Sequence, residues 1–247
     1  MKRARPLVAI DGPVGAGKST VARALARALG FSYVNTGAMY RAVAVAARAA
    51  GVEPYAPEVA GAGSPGTAPA VDAAAAEEHW REHLQKVLDT ITIAFNGERV
   101  LLAGHDISDL ITQPEIGDLA SRFSAIALVR DKMRILQRAA GERGGVVMEG
   151  RDIGTAIFPD AEVKFFLVAE PAVRAARRYA ELAAKGVATT LEEVAAQLAE
   201  RDRRDAGRAL APLKRADDAI EIDSTGRDVD AVVNEMKSRV EAISRAI

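Results

Sequence analysis

The run LVAIDGPVGAGKST, Leu7 to Thr20, constrains the fold of this chain more than any other stretch. Leu7 to Asp11 is short, apolar and β-rich, the pattern of a buried strand. A helix is expected after it, with Val21, Leu25 and Leu29 on one face and Gly30 as its stop. Between them, Gly12 to Ser19 fits the spacing G-x-x-x-x-G-K-[ST] of a P-loop. Glycines at those places let backbone N–H groups turn inward around an anion, a lysine reaches the outer phosphates, and a serine hydroxyl can hold Mg²⁺. The candidate nucleotide-binding residues are therefore Gly12, Pro13, Val14, Gly15, Ala16, Gly17, Lys18 and Ser19, with Thr20 following; Ser19 is the candidate Mg²⁺ ligand.

The same rhythm recurs along the chain. Phe31 to Val34 reads as a strand and Thr36 to Ala50 as a helix. Gly145 to Glu149, Glu162 to Val168 and Ala219 to Asp223 read as further strands. Helices are expected near Pro171, at Thr190, where Thr-Leu-Glu-Glu offers a capping box, and from about Asp228. Strands alternating with helices predict an α/β fold, a mostly parallel sheet flanked by helices. The middle of the chain departs from it. Gly51 to Ala76 is rich in Pro, Gly and Ala and reads as a loop or disordered insert. Trp80 to Leu88 looks helical, TITIAFNGERVLLAG predicts a β-hairpin turning at Asn96-Gly97, and helices are expected between Asp109 and Glu142. This section is expected to form a separate lobe.

Composition narrows the function. The 247 residues contain no cysteine, which removes thiol catalysis and cysteine-ligated zinc. A formal net charge of -1 gives no global pull toward nucleic acid or membrane. No apolar run approaches the roughly 20 residues of a spanning helix. MKRARPLVAID has too short an apolar part for a signal peptide, so a cytoplasmic protein is expected. No Asn-Lys-x-Asp and no Leu-Ser-Gly-Gly-Gln occurs, which argues against GTPases and transport ATPases. His79 and His83 are four apart, but the order His-Trp-Arg-Glu-His is not that of a zinc protease, and a surface helix is expected.

The second half is rich in arginine. Arg174, Arg177 and Arg178 share a helix face by spacing, as do Arg201 and Asp205; Arg208 joins the latter only if the helix passes Gly207. Glu149, Arg151 and Asp152, in MEGRDIG, emerge where a strand ends. In parallel sheets, ligands bind beyond the carboxyl ends of the strands. The charges either face a second anionic substrate or form a structural ion pair, and spacing does not choose.

Three stretches in order, AIDGPVGAGKST, NTGAMYRAVA and EGRDIGTAIFPDAEVKFFL, followed by ERDRRDAGRALAPLK, resemble the bacterial cytidylate kinase family. The resemblance covers nearly the whole chain apart from Gly51 to Ala76. It implies transfer of the ATP γ-phosphoryl group to CMP or dCMP with Mg²⁺, by a monomer with no nucleic-acid or membrane partner. It also implies a P-loop kinase core (1–50 and 143–247), a helical lid (about 172–212), and a nucleotide-binding insert (51–142) with a small antiparallel sheet. By position it assigns Thr36 and Arg41 to acceptor binding, and Ser121 and Arg130 to reading cytosine. Arg151 and Asp152 fall around the CMP phosphate and base, and Arg201 and Asp205 at the sugar. Arg208 gives a further acceptor contact, and Arg174 and Arg178 are lid or phosphate-clamping arginines. Glu149 stands where relatives often carry Asp; it is assigned, with Asp152, to organising arginines, substrate or Mg²⁺-bound water. Lys18, Arg151, Asp152, Arg174 and Arg178 are the candidate catalytic residues. Another small-molecule P-loop kinase, acting on UMP or a non-nucleotide hydroxyl, and an ATP-binding switch remain the alternatives.

Overall fold

Every residue of the first strand, β1 (Leu7–Asp11), is buried. A strand covered on both faces carries an unbroken apolar run, and this one sits at the middle of a sheet. In the computed structural model, which describes residues 3–55, 70–97 and 99–246, β1 lies between β6 (Val146–Glu149) and β7 (Val163–Val168). The edges are β2 (Ser32–Asn35) beside β6 and β8 (Ile220–Asp223) beside β7, giving the order β2-β6-β1-β7-β8. All four pairings are parallel. The chain runs from β1 to one side and later to the other, so a switch point falls at the carboxyl end of β1. That is where the glycine loop leaves.

The described residues form two compact units, 1–36 with 134–247, and 37–133. In the first, helix α1 (Lys18–Leu29) lays Val21 and Leu25 against Val8, Ile10 and Phe165. Gly30 ends it in a left-handed conformation, φ 62°, its N–H reaching Ala26 and Arg27 carbonyls. The last helix, α8 (Val229–Ala246), covers the same core with Val232, Val233, Met236 and Val240. Removing one such buried side chain, as in Leu25→Ala, costs about 2–5 kcal/mol. Helices α6 (Pro171–Ala184) and α7 (Leu191–Ala206) pack on each other through Ala175, Leu182, Val194 and Leu198, with Val14 of the glycine loop against them. The capping box at Thr190 is present: Thr190 Oγ1 accepts from Glu193 N at 3.1 Å, and Thr190 N donates to Glu193 Oε2 at 2.9 Å.

The second unit contains most of α2 (Thr36–Ala49), then α3 (Ala70–Thr90), the antiparallel strands β3 (Ile93–Asn96), β4 (Arg99–Leu102) and β5 (His105–Asp106), and helix α4 (Pro114–Phe123). Helix α5 (Ala127–Gly141) begins in this unit and continues into the first. Ala38, Ala42, Val100, Ile107 and Ile111 form its core. Two expectations change here. Residues 70–76 are helical, not loop, because an alanine-rich run costs little to wind and α3 continues it; residues 56–69 of that stretch lie outside the described residues. The hairpin turns one residue later than expected. Asn96 pairs with Arg99, so Asn96 still belongs to the strand, and Gly97 (φ 61°) precedes Glu98, which lies outside the described residues.

Candidate active site

The glycine loop fits its surroundings closely. A Cβ on Gly12 (φ 146°) would stand 2.1 Å from the Leu167 carbonyl oxygen, so no side chain fits between the loop and β7. Gly17 (φ 89°) caps α1 in the left-handed region without a side-chain bond, leaving the helix's first N–H groups directed into the loop. Lys18 is buried, and its Nζ donates to Pro13 O at 2.6 Å. Burial, reinforced by Arg151, lowers its pKa well below the ordinary lysine value, while Glu149 and Asp11 pull the other way. An anionic ligand in the loop would supply the missing negative charge.

The loop is propped from behind. Arg174 on α6 donates to Val14 O at 3.1 Å, Ala169 O at 3.2 Å and Asp202 Oδ2 at 2.5 Å. Arg177 donates to Ser224 Oγ at 3.0 Å and Ser224 O at 2.8 Å, and the Ser224 hydroxyl lies 3.1 Å from the carbonyls of Ala16 and Val168. Arg178 instead pairs with Glu181 at 3.0 Å and is more exposed. The three arginines of one helix thus have different partners: loop backbone, a prop behind it, and a neighbour on the same helix.

Glu149 ends β6, buried. Its Oε1 accepts from the Tyr33 hydroxyl at 2.5 Å, and its carbonyl accepts from Thr36 Oγ1 at 2.7 Å. Burial, then Glu149, pushes the Tyr33 pKa up, and a hydrogen bond from Ser19 opposes the rise. Ser19, Tyr33 and Glu149 therefore form one chain of hydrogen bonds. A hydroxyl and a carboxylate are hard-oxygen donors of the kind that suit Mg²⁺. Arg151 leaves this strand end for Asp205, its Nε donating to Oδ2 at 2.9 Å, and Arg208 reaches the other oxygen. Arg208 does so from beyond the helix, which stops at Gly207. Burial pushes the Asp205 pKa up, but Arg151, Arg208 and Arg201 outweigh it and hold the carboxyl below the usual value.

In the second unit, Arg41 lies half-buried on α2. Ser121 is buried on α4, its hydroxyl without a hydrogen-bond partner among the described residues, and its carbonyl accepts from Ser124 Oγ at 2.7 Å. Arg130 donates to Ser124 O at 3.3 Å. His79 and His83 are exposed neighbours on α3, ring centroids 4.3 Å apart. Trp80 between them donates to Glu53 O at 2.7 Å and lies 5.4 Å from the Tyr55 ring.

Sequence reasoning missed Asp11, Tyr33 and Ser224. The signal for Asp11 was an acidic residue closing an apolar strand, directly before the glycine loop. Nothing in sequence spacing brings Tyr33 to Glu149, or Ser224 to Ala16.

A parallel sheet with a phosphate loop at its switch point, and arginines gathered on the buried Asp205 carboxylate in the same unit, are the marks of a P-loop kinase. The family model described as "Cytidylate kinase" matches residues 8–242, and the chain belongs to that family. It is 48% identical over 236 residues to a cytidylate kinase of Geobacter sp. strain M21, covering 95% of this chain and 92% of that one. It is 46% identical to a cytidylate kinase of Geobacter sulfurreducens (97% and 94% covered) and 39% identical to one of Thermotoga neapolitana (97% and 98% covered).

Proposed function

We propose that the protein transfers the γ-phosphoryl group of ATP to CMP or dCMP, giving ADP and CDP or dCDP, with Mg²⁺. The observation that carries this reading is the pairing, within one unit, of the lysine-bearing glycine loop with the Arg151–Asp205–Arg208 cluster. One holds a donor triphosphate, and the other offers planar cations to an acceptor phosphate.

A phosphate monoester is largely dianionic near neutral pH, its second pKa being about 6, so the acceptor needs no strong general base. The barrier is electrostatic: two anionic reactants must meet in line. The loop N–H groups and Lys18 fix the donor's outer phosphates and stabilise charge spread over the transferring group. Arg151 and Arg208, held by Asp205, orient the acceptor phosphate, and Arg201 and Asp205 serve its sugar. Ser19 would hold Mg²⁺ directly, and Glu149 a water on it; the metal, when bound, neutralises phosphate charge. Asp152 orders the acceptor side. Thr36, Arg41, Ser121 and Arg130 are assigned to the acceptor nucleotide, the last two to its base. Arg174 and Arg178 would act from a lid of about residues 172–212 that closes to keep water from the phosphoryl group. The core would comprise residues 1–50 and 143–247, with 51–142 as the nucleotide-binding insert. The enzyme is proposed as a cytoplasmic monomer; no described helix is long and apolar enough to cross a membrane.

An acceptor panel tests the reading. With ATP and Mg²⁺, ADP release is expected to depend on added CMP or dCMP and to be at least tenfold slower with UMP, AMP or GMP. ADP release that needs no acceptor, or that favours another monophosphate, would overturn it.

A further inference from the structure

Asp11 is the last residue of the central strand and the residue directly before Gly12. Its carboxylate is buried, yet its partners lie more than a hundred residues away in sequence. Oδ1 accepts from Ile153 N at 2.9 Å and Oδ2 from Gly154 N at 2.8 Å. Those two N–H groups open the π-helical turn Ile153–Ile157, and the residue preceding the turn, Asp152, makes no side-chain capping bond to it. Asp11 therefore caps a turn from another strand and leaves the Asp152 side chain out of the capping. The fit is close, because a Cβ on Gly154 would come within 3.4 Å of Asp11 Oδ2 and 3.1 Å of the Lys164 side chain. The loop carrying Arg151 and Asp152 is thus tied at both ends: Gly150 N donates to Ile10 O at 3.0 Å, and Ile153 and Gly154 donate to Asp11.

We propose that Asp11 is a positioning residue for phosphoryl transfer, its carboxylate holding Arg151 and Asp152 in register with the phosphate loop that begins one residue later. This rests on the reading of CMP as acceptor. The role requires both carboxylate oxygens to accept. A proton on either one makes that oxygen a hydroxyl, a poorer acceptor whose O–H has no partner of its own, and its tie to the facing N–H weakens.

The surroundings make that proton relevant near neutral pH. Burial raises the Asp11 pKa to about 6; the Gly154 and Ile153 N–H groups lower it, Asp152 raises it, and Lys18 on α1 lowers it. Lys164 on β7 lies beside Gly154, and its ammonium is committed to Asp218 and to the Pro159 carbonyl.

The test is Asp11→Asn, whose amide keeps one acceptor and opposes the other N–H with its own. At saturating ATP and Mg²⁺, kcat/KM for CMP is expected to fall tenfold or more, with KM for ATP within twofold of the parent. As pH is lowered from 7 to 5 the parent's kcat/KM for CMP should fall toward a limiting slope of two, one proton on Asp11 and one on the acceptor phosphate. The variant should fall with a slope of one. Equal slopes in parent and variant, or a parallel rise of both KM values with a lower melting temperature, would overturn the proposal. If the variant does not fold, the parent decides alone: a slope of two supports the proposal and a slope of one overturns it. A parent that phosphorylates no CMP at any pH would instead overturn the acceptor assignment.

Discussion

Asp205→Asn separates the two jobs of the arginine cluster. The Asp205 side chain is 1% exposed, against 19% for Arg151 and 7% for Arg208, so the charges are shielded from water. Removing one member of a buried ion pair costs about 3–5 kcal/mol, because the partner charge stays buried. Asparagine keeps one acceptor and Arg151 is partly exposed, which puts this variant at the lower end, about 3 kcal/mol. For a chain of this length that corresponds to a melting temperature lower by about 6–12 °C. Because the Asp205 pKa is lowered in the fold, its stabilisation is present above the ordinary aspartate value of 3.8 and is lost as pH falls through the lower folded value. Thermal unfolding by circular dichroism at pH 7 and at pH 3 reads both effects, and the gap between parent and variant should narrow at the lower pH. Kinetics on the same preparations should show KM for CMP raised tenfold or more and KM for ATP little changed. A melting shift below about 2 °C at pH 7, or equal increases in both KM values, would refute the picture of Asp205 as the anchor of acceptor-side arginines.

Other substitutions probe the remaining parts. Lys18→Ala should lower kcat on the order of a thousandfold with melting unchanged or raised, since it removes a cation that burial disfavours; near-normal turnover would remove the loop from the mechanism. Arg130→Ala should reduce the preference for CMP over UMP about tenfold, the equivalent of one hydrogen bond; unchanged selectivity in the acceptor panel would mean that cytosine is read elsewhere. Tyr33→Phe deletes only the hydroxyl that bridges Ser19 and Glu149. It should raise the Mg²⁺ concentration for half-maximal activity several-fold and weaken Mg²⁺-dependent ADP binding in calorimetry, and an unchanged Mg²⁺ requirement would count against the bridge.

Local chemistry was legible in the sequence, and long-range placement was not. The glycine loop, the helix with Val21 and Leu25 inward, the Gly30 stop and the Thr190–Glu193 capping box are each set by residues a few positions apart. The strand order is different. That β6 inserts between β2 and β1 depends on how the chain returns from the second unit, and alternation of strands and helices predicts a parallel sheet without ordering it. The arginines show the same limit. Spacing groups Arg174, Arg177 and Arg178 on one face, yet their partners Val14, Ser224 and Glu181 come from three different places. Arg208 reaches Asp205 although the helix ends before it, because a side chain that long needs no helical spacing. Residues 70–76 read as loop because alanine suits both low-complexity loops and helices, and only the continuation into α3 decides.

A kinase of this kind passes the γ-phosphoryl group to the acceptor's phosphate and not to water. Phosphorus-31 NMR of ATP, CMP, Mg²⁺ and the protein follows that group directly. Loss of the ATP γ signal should be matched by the α and β signals of CDP, with little inorganic phosphate, and the Lys18→Ala protein should leave the spectrum unchanged. Inorganic phosphate growing in step with ADP while CMP persists would mean that water, not CMP, takes the group.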